Sequence, residues 1–310
     1  MPRRSKAPGQ VGRLPENQYS FRLSFRPPYD WNAMLGFLAP RAIPGVEVVE
    51  AGSYRRSILL DGSEGWAEAT LDQRNHTLAV RIQFPDPCTV FFIVERIRTM
   101  FDLDADPNEI ARCLGDDDTL AMLVKAAPGV RVPGCWDGFE LATRAIVGQQ
   151  ISVKAATTLA GRVVTTFGRP ISAPGGITHL FPGAEILAEA DLRRAGITQS
   201  RAETIRTLAR AVCEGRIGFE GIIDADEVLD QLRGIRGIGE WTAQYIAMRA
   251  LGEPDAFPTG DLGLVRAAGA QNSGQLERRA EAWRPWRAYA AMYLWKSLVE
   301  SSALKPAHWA

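Results

Sequence analysis

The sequence predicts an α+β N-terminal domain followed by a mainly α region, and three observations carry that reading. Strand-like alternation fills residues 19–84 around one short helical stretch. The apolar period changes to about 3.6 residues after Pro85 and Pro87. Beyond that point the Gly/Pro punctuation (RVPGC, APGG, FPGAE) is short enough for helix connections and too short for interdomain linkers. With 310 residues, 46% of them hydrophobic, the chain can bury more than one substantial core.

Residues 1–18, MPRRSKAPGQVGRLPENQ, are basic but hold no apolar run that could be a signal core, so they read as a flexible tail. In residues 19–88, FRLSF, RRSILLDG and TLAVRIQF alternate as strands, and DWNAMLGFLAPRA opens a helix near Trp31. Residues 89–304 read as helical through FFIVERIRTMFDL, DGFELATRAIVGQQISVKAATTLAGRVVTTFG, AEILAEADLRRAG and SRAETIRTLARAVCEG, with 305–310 as a second tail. No stretch approaches the roughly 20 apolar residues of a membrane span, so a cytoplasmic monomer away from membranes is the expectation.

Charge does not announce a partner. Basic and acidic residues number 36 each, 15 against 17 before Gly129 and 21 against 19 from it onward. Any nucleic-acid surface must therefore be local and lean on backbone amides at helix N-termini. Cys88, Cys113, Cys135 and Cys213 form no CxxC pair and have no histidines at ligand spacing, which argues against zinc or iron–sulfur chemistry; no cofactor is expected to be required.

The informative stretch is DADEVLDQLRGIRGIGEWTAQYIAMRALGEPDAFPTGDLGLVRAAG, residues 224–269. A helix breaks at Gly234, Gly237 and Gly239 flank Ile238, and a second helix opens near Glu240, giving a helix-hairpin-helix over 228–250. The two glycines permit left-handed torsions and close approach of another molecule, and the second helix offers unpaired N–H groups to a phosphate. An ordinary glycine-ended αα-turn has the same local pattern. The next segment of chain separates the two: a Pro/Gly-rich loop, 252–262, delivers Asp261 to the start of the apolar run LGLVRAAG. Alone, Asp261 is a helix N-cap. A capping carboxylate can also lie beside a sugar whose glycosidic bond is breaking, where fixed negative charge stabilises the oxocarbenium-like state and orients water. Asp255, Asp224 and Asp226 lack this placement and read as surface or capping residues.

A hairpin, a Gly/Pro-rich loop and an aspartate in this order resemble the helix-hairpin-helix DNA glycosylase superfamily. PPYDWNAMLGFLAPRA, RVPGCWDGFELATRAIVGQQISV, GIGEWTAQYIAMRALG and WRPWRAYAAMYLW resemble, in order, the bacterial alkylation-repair branch, the DNA-3-methyladenine glycosylase II family, from about Tyr19 onward. The resemblance implies a helix-hairpin-helix glycosylase region behind the α+β domain. It also implies Asp261 as the catalytic residue and Trp241, Tyr245, Trp295 and Phe37 as the pocket for a flipped base. Electron-rich rings suit cationic alkylpurines such as 3-methyladenine and 7-methylguanine, which are also good leaving groups and need no strong general acid. Trp283 and Trp286 read as core.

The implied partner is double-stranded DNA carrying alkylated bases, and nucleoid association would come only through that DNA. The implied reaction is hydrolysis leaving an abasic site, with Gly237, Ile238 and Gly239 on the phosphate. A structural monovalent cation on the backbone of Arg233, Ile235 and Ile238 is a further implication, and the glycosylase unit alone is expected.

Superfamily members that also cut the strand use a hairpin-helix lysine. Trp241 stands at that place, and the chain's five lysines leave the span between Lys154 and Lys296 empty, so no lyase activity is expected. Two positions depart from the pattern: Gln150 stands where an apolar wedge is expected, and Arg236 where a proline is. Two other readings remain open on the residues: a non-catalytic DNA-binding module, and a glycosylase for oxidised or mispaired bases.

Overall fold

The computed structural model describes residues 17–221 and 224–303. Both expected tails lie outside them, except that the first strand begins at Gln18, inside the N-terminal one. That strand, β1 (Gln18–Ser24), joins β2 (Glu47–Glu50), β3 (Ser53–Leu60), β4 (Ser63–Asp72) and β5 (Thr77–Gln83) in an antiparallel sheet of order β1-β5-β4-β3-β2. The inner face buries Tyr54, Ile58, Ala67, Ala69, Leu78, Val80 and Ile82. Helix α1 (Trp31–Leu38) follows β1, capped by the Asp30 carboxylate on the Ala33 N–H at 2.8 Å.

Strands β2 and β4 go beyond the sequence reading. In SEGWAEATLD the alanines and glutamates favour helix locally, but β4 is paired on both edges. Its outward Glu68 is held between Arg55 and Arg81, and cross-strand pairing overrides propensity.

The mainly helical remainder matches expectation, with two corrections. A small two-stranded ribbon, β6 (Arg169–Pro170) with β7 (His179–Leu180), interrupts it. The long stretch read as one helical run divides into α5 (Gly138–Val147) and α6 (Val153–Phe167). Gly148 closes α5, Gln150 adopts φ 56°, and Ser152 caps α6 through the Ala155 N–H at 3.2 Å. Before α5 come α2 (Val90–Met100), α3 (Pro107–Leu114) and α4 (Asp118–Ala126). After the ribbon come α7 (Ala184–Leu187), α8 (Gln199–Cys213), α9 (Ala225–Gly234), α10 (Glu240–Ile246), α11 (Leu262–Ala267), α12 (Ser273–Ala280) and α13 (Arg287–Ala303).

One apolar cluster runs from the sheet (Ile58, Val80) through α2 (Ile93, Ile97) to α5, α8 and α13 (Ile146, Leu208, Leu294), so sheet and helices share a core across residue 88. A buried ionic network crosses the same seam. Arg56 on β3 donates to Glu140 on α5 at 2.7 Å, Tyr54 donates its hydroxyl to Glu47 at 2.5 Å, and Arg144 on α5 lies 3.7 Å from Glu47. Burial pushes the Glu140 carboxyl up and Arg56 opposes it. No helix among the described residues is long and apolar enough to cross a membrane.

Removing one member of a buried pair strands the other charge. Arg56→Met should therefore lower unfolding stability in urea by about 3–5 kcal/mol, and Arg56→Met with Glu140→Met should recover most of it. Additive losses in the two single variants would show that the pair is not what joins sheet to helices.

Candidate DNA-binding and active site

The hairpin is built by α9 and α10. Asp224 caps α9 through the Asp226 and Glu227 N–H groups at 3.1 and 3.3 Å. Ile238 tucks under the turn with 5% exposure. The expected pair of left-handed glycines holds at one position only. Gly237 has φ 98°, and a Cβ there would meet Thr204 Oγ1 of α8 at 2.2 Å. Gly239 has φ −89° and ψ 173°, extended backbone open to any residue. Its value is space: nothing lies within 4 Å of a Cβ built on it. It caps α10 without a side chain, so the first N–H groups of that helix are left to an incoming group.

Gln149 ties the α5–α6 connection to this hairpin. Its Nε2 donates to the Gly237 carbonyl at 2.8 Å and to Thr242 Oγ1 at 3.1 Å, while Arg201 of α8 donates to the Gln149 carbonyl. The neighbouring Gln150 is exposed, with a left-handed φ that costs a non-glycine residue about 1–2 kcal/mol. Arg236 is exposed at the turn, and its carbonyl accepts from Thr204 at 3.0 Å. Arg233 is paired with Glu240 at 2.8 Å.

The loop from Gly252 to Asp261 is pinned along its length. Gly252 ends the helix with φ 71°. Asp255 accepts from Arg287 at 2.8 Å and from Arg284, an ion-pair role the sequence reading did not give it. Gln244 of α10 accepts the Phe257 N–H at 3.0 Å, and the Phe257 ring meets Trp283 edge-on at 5.7 Å. Asp261 emerges as the N-cap of α11. Its Oδ1 accepts the Leu264 N–H at 2.9 Å and its Oδ2 accepts the Trp241 indole N–H at 3.1 Å. A Cβ at Gly263 would lie 2.8 Å from Asp261 Oδ1 and 3.9 Å from Trp295 Cδ1, so α11 and α13 meet at the carboxylate.

The four aromatic residues singled out in the sequence come together. Trp241 and Tyr245 stack at 5.2 Å and 8°, Tyr245 meets Trp295 edge-on at 6.3 Å, and Trp295 lies 6.5 Å from Phe37. Trp241, Tyr245 and Trp295 are half-buried, whereas Phe37 is 9% exposed and forms the back of the set. Trp283 is buried and Trp286 packs against the core, in line with expectation. Lys296 pairs with Glu300 one turn along α13.

Two arginines close the far end of the aromatic set and went unnoticed in the sequence. Arg249 donates to the Tyr245 hydroxyl at 2.8 Å and stands 5.0 Å over the Phe37 ring; Arg41 stands 3.8 Å over the same ring. Each follows a pocket aromatic by four residues, Tyr245 to Arg249 and Phe37 to Arg41, and that spacing was the available signal. Burial alone would raise the Tyr245 phenol, but Arg249, Arg41 and Arg144 hold it below its ordinary value.

Fold and hairpin together define the class, a helix-hairpin-helix protein. The family model "HhH-GPD superfamily base excision DNA repair protein" matches residues 143–287, and "AlkA N-terminal domain" matches residues 20–137. DNA-3-methyladenine glycosylase 2 of Escherichia coli is 35% identical over 279 residues, 89% of this chain and 96% of that protein. The chain belongs to the DNA-3-methyladenine glycosylase II family. A probable bifunctional transcriptional activator/DNA repair enzyme AlkA of Mycobacterium tuberculosis is 40% identical over 286 residues, 90% of this chain. This chain spans 57% of that protein's length. A solved 3-methyladenine DNA-glycosylase from Archaeoglobus fulgidus superposes with a TM-score of 0.77 at 27% identity, covering 89% of this chain and 97% of that one.

The two glycines should separate experimentally. Gly237→Ala should destabilise the fold, because it adds a clash with Thr204 to a left-handed φ. Gly239→Ala should leave thermal stability nearly unchanged and still weaken binding to duplex DNA. Equal losses of stability would mean that Gly239, too, serves only the turn.

Proposed function

We propose that the chain is a monofunctional DNA N-glycosylase that extrudes alkylated purines such as 3-methyladenine and 7-methylguanine from duplex DNA and releases them by hydrolysis. The observation that carries this is Asp261, held by the Leu264 N–H and the Trp241 indole at one end of the aromatic set. Two donors on an N-capping carboxylate fix its direction. A sugar at Asp261 places its base along Trp241 and Tyr245, whose π-faces favour a cationic ring. As the C1′–N bond lengthens, positive charge grows on the sugar beside the carboxylate, which stabilises it and orients the attacking water.

The absence of a lysine on α10 and the pairing of Lys296 with Glu300 favour water over an amine nucleophile, hence an intact strand at an abasic site. The same features weigh against an oxidised-base glycosylase with lyase activity, and Asp261's position weighs against a purely binding module. The hairpin, through the amides following Gly237, Ile238 and Gly239, is assigned to a phosphate. A monovalent cation is assigned to the backbone carbonyls of Arg233, Ile235 and Ile238, of which that of Ile235 also accepts the Ile238 N–H at 3.0 Å; no carboxylate, imidazole or thiolate cluster able to hold a metal is found among the described residues. Such an ion would add positive charge beside the phosphate.

Asp261→Asn retains a capping oxygen and removes the charge. It should lower methylpurine release from alkylated DNA by at least about a hundredfold, with folding and DNA binding retained. Equal release by both proteins would reduce Asp261 to a cap. Gln150 is assigned the place vacated by the extruded base, where it can hydrogen-bond the orphaned partner. Gln150→Ala should cost more activity on a well-paired lesion than on a mismatched one, and equal losses would remove it from that role.

A further inference from the structure

At the seam between sheet and helices, charges of one sign collect. Arg41, Arg56, Arg144 and Arg249 line a cavity of 20 Å³ together with Glu47 and Glu140, so four guanidinium groups stand against two carboxylates. The Cys135 thiol in the same wall adds no negative charge, because burial pushes it up to about 12. Burial also holds the Arg41 guanidinium below its ordinary pKa, and Arg249 and Arg144 press it down further. The carboxylates do not reach this excess. Glu47 accepts the Tyr54 hydroxyl at 2.5 Å and the Ile43 N–H at 2.9 Å, while Arg56 Nη1 and Arg144 Nη1 stop 4.0 and 3.7 Å from it, beyond hydrogen-bond length. Neither nitrogen has a hydrogen-bond acceptor among the described residues, although the Arg56 side chain is only 4% exposed. Glu140 meets Arg56 through Nη2, and burial pushes its carboxyl up, which thins its share of the negative charge. A guanidinium shut away from water without an acceptor is costly.

We propose that this cavity binds one monatomic monovalent anion, a halide such as chloride, held by the Nη1 groups of Arg56 and Arg144 and by the charge of Arg41 and Arg249. The space admits one small particle, since a single water needs about 10–15 Å³. Sulfate, phosphate and the phosphodiester of DNA are too large for it. A water would occupy the volume and leave the charge standing. A halide accepts from every side and brings no proton of its own, which suits a wall of groups that only donate. Seated there, it completes the ionic joint between β3 and α5, where Glu47 and Glu140 fall two charges short. The inference goes beyond the glycosylase reading and does not depend on which base is released.

The test pairs diffraction with unfolding. Crystals of the wild type grown in bromide should show an anomalous peak within hydrogen-bond reach of Arg56 Nη1 and Arg144 Nη1. In solution, replacing gluconate by chloride at fixed ionic strength should raise the wild-type thermal midpoint by about 2 °C. Arg144→Met should lose most of that rise, and Lys125→Met, which removes an exposed charge outside the cavity wall, should keep it. A cavity holding only water in the bromide crystals would overturn the anion site, whether or not Arg144→Met folds. Equal rises in the wild type and Arg144→Met would overturn it as well.

Discussion

The buried ion pair between Arg56 and Glu140 is the constraint on which the rest of the molecule depends. It joins β3 of the sheet to the first turn of α5, and α5 leads directly into the connection that carries Gln149 and Gln150. Arg144, one turn further along α5, reaches Glu47 and also contributes to the field at Tyr245. The sheet therefore does more than cover one face of the helices. Through Glu47 and Arg56 it ties down the helix that runs into the loop bearing Gln150, and Arg41, in the turn after α1, lies over the Phe37 ring. Apolar burial alone would tolerate sliding of sheet over helix; directional charge pairs in a low-dielectric seam do not.

The cleft itself is an electrostatic gradient rather than a neutral aromatic slot. Asp261 stands at one end and the arginines at the other, separated by the stacked faces of Trp241 and Tyr245. Both ends are held by groups with no freedom to reorient: Asp261 by a backbone amide and an indole, Arg249 by two backbone carbonyls. Preorganised charge of this kind needs no rearrangement when the bond breaks.

Much of this was legible in the sequence where local chemistry and tertiary structure agree. The break at Gly234, the helix opening at Glu240 and the cap at Asp261 each follow from one residue's own preference. The pairing of Trp241 with Tyr245 follows from helical spacing. Where partners come from elsewhere in the chain, reading stopped. The Ala- and Glu-rich β4 is a strand because of β3 and β5, and the break between α5 and α6 rests on a left-handed glutamine where a glycine would have advertised it. Arg249 went unread because its acceptors, the carbonyls of Pro133 and Gly134, lie more than a hundred residues away.

Gln149 gives the site a mechanical property. Its amide spans the Gly237 carbonyl and the Thr242 hydroxyl, so the loop bearing Gln150 and the turn assigned to the phosphate are cross-braced into one unit, with Arg201 bracing them from behind. With the loop and the turn in the roles proposed for them, this brace would tie the hold on the strand to the side chain entering the stack, so that neither is released without the other.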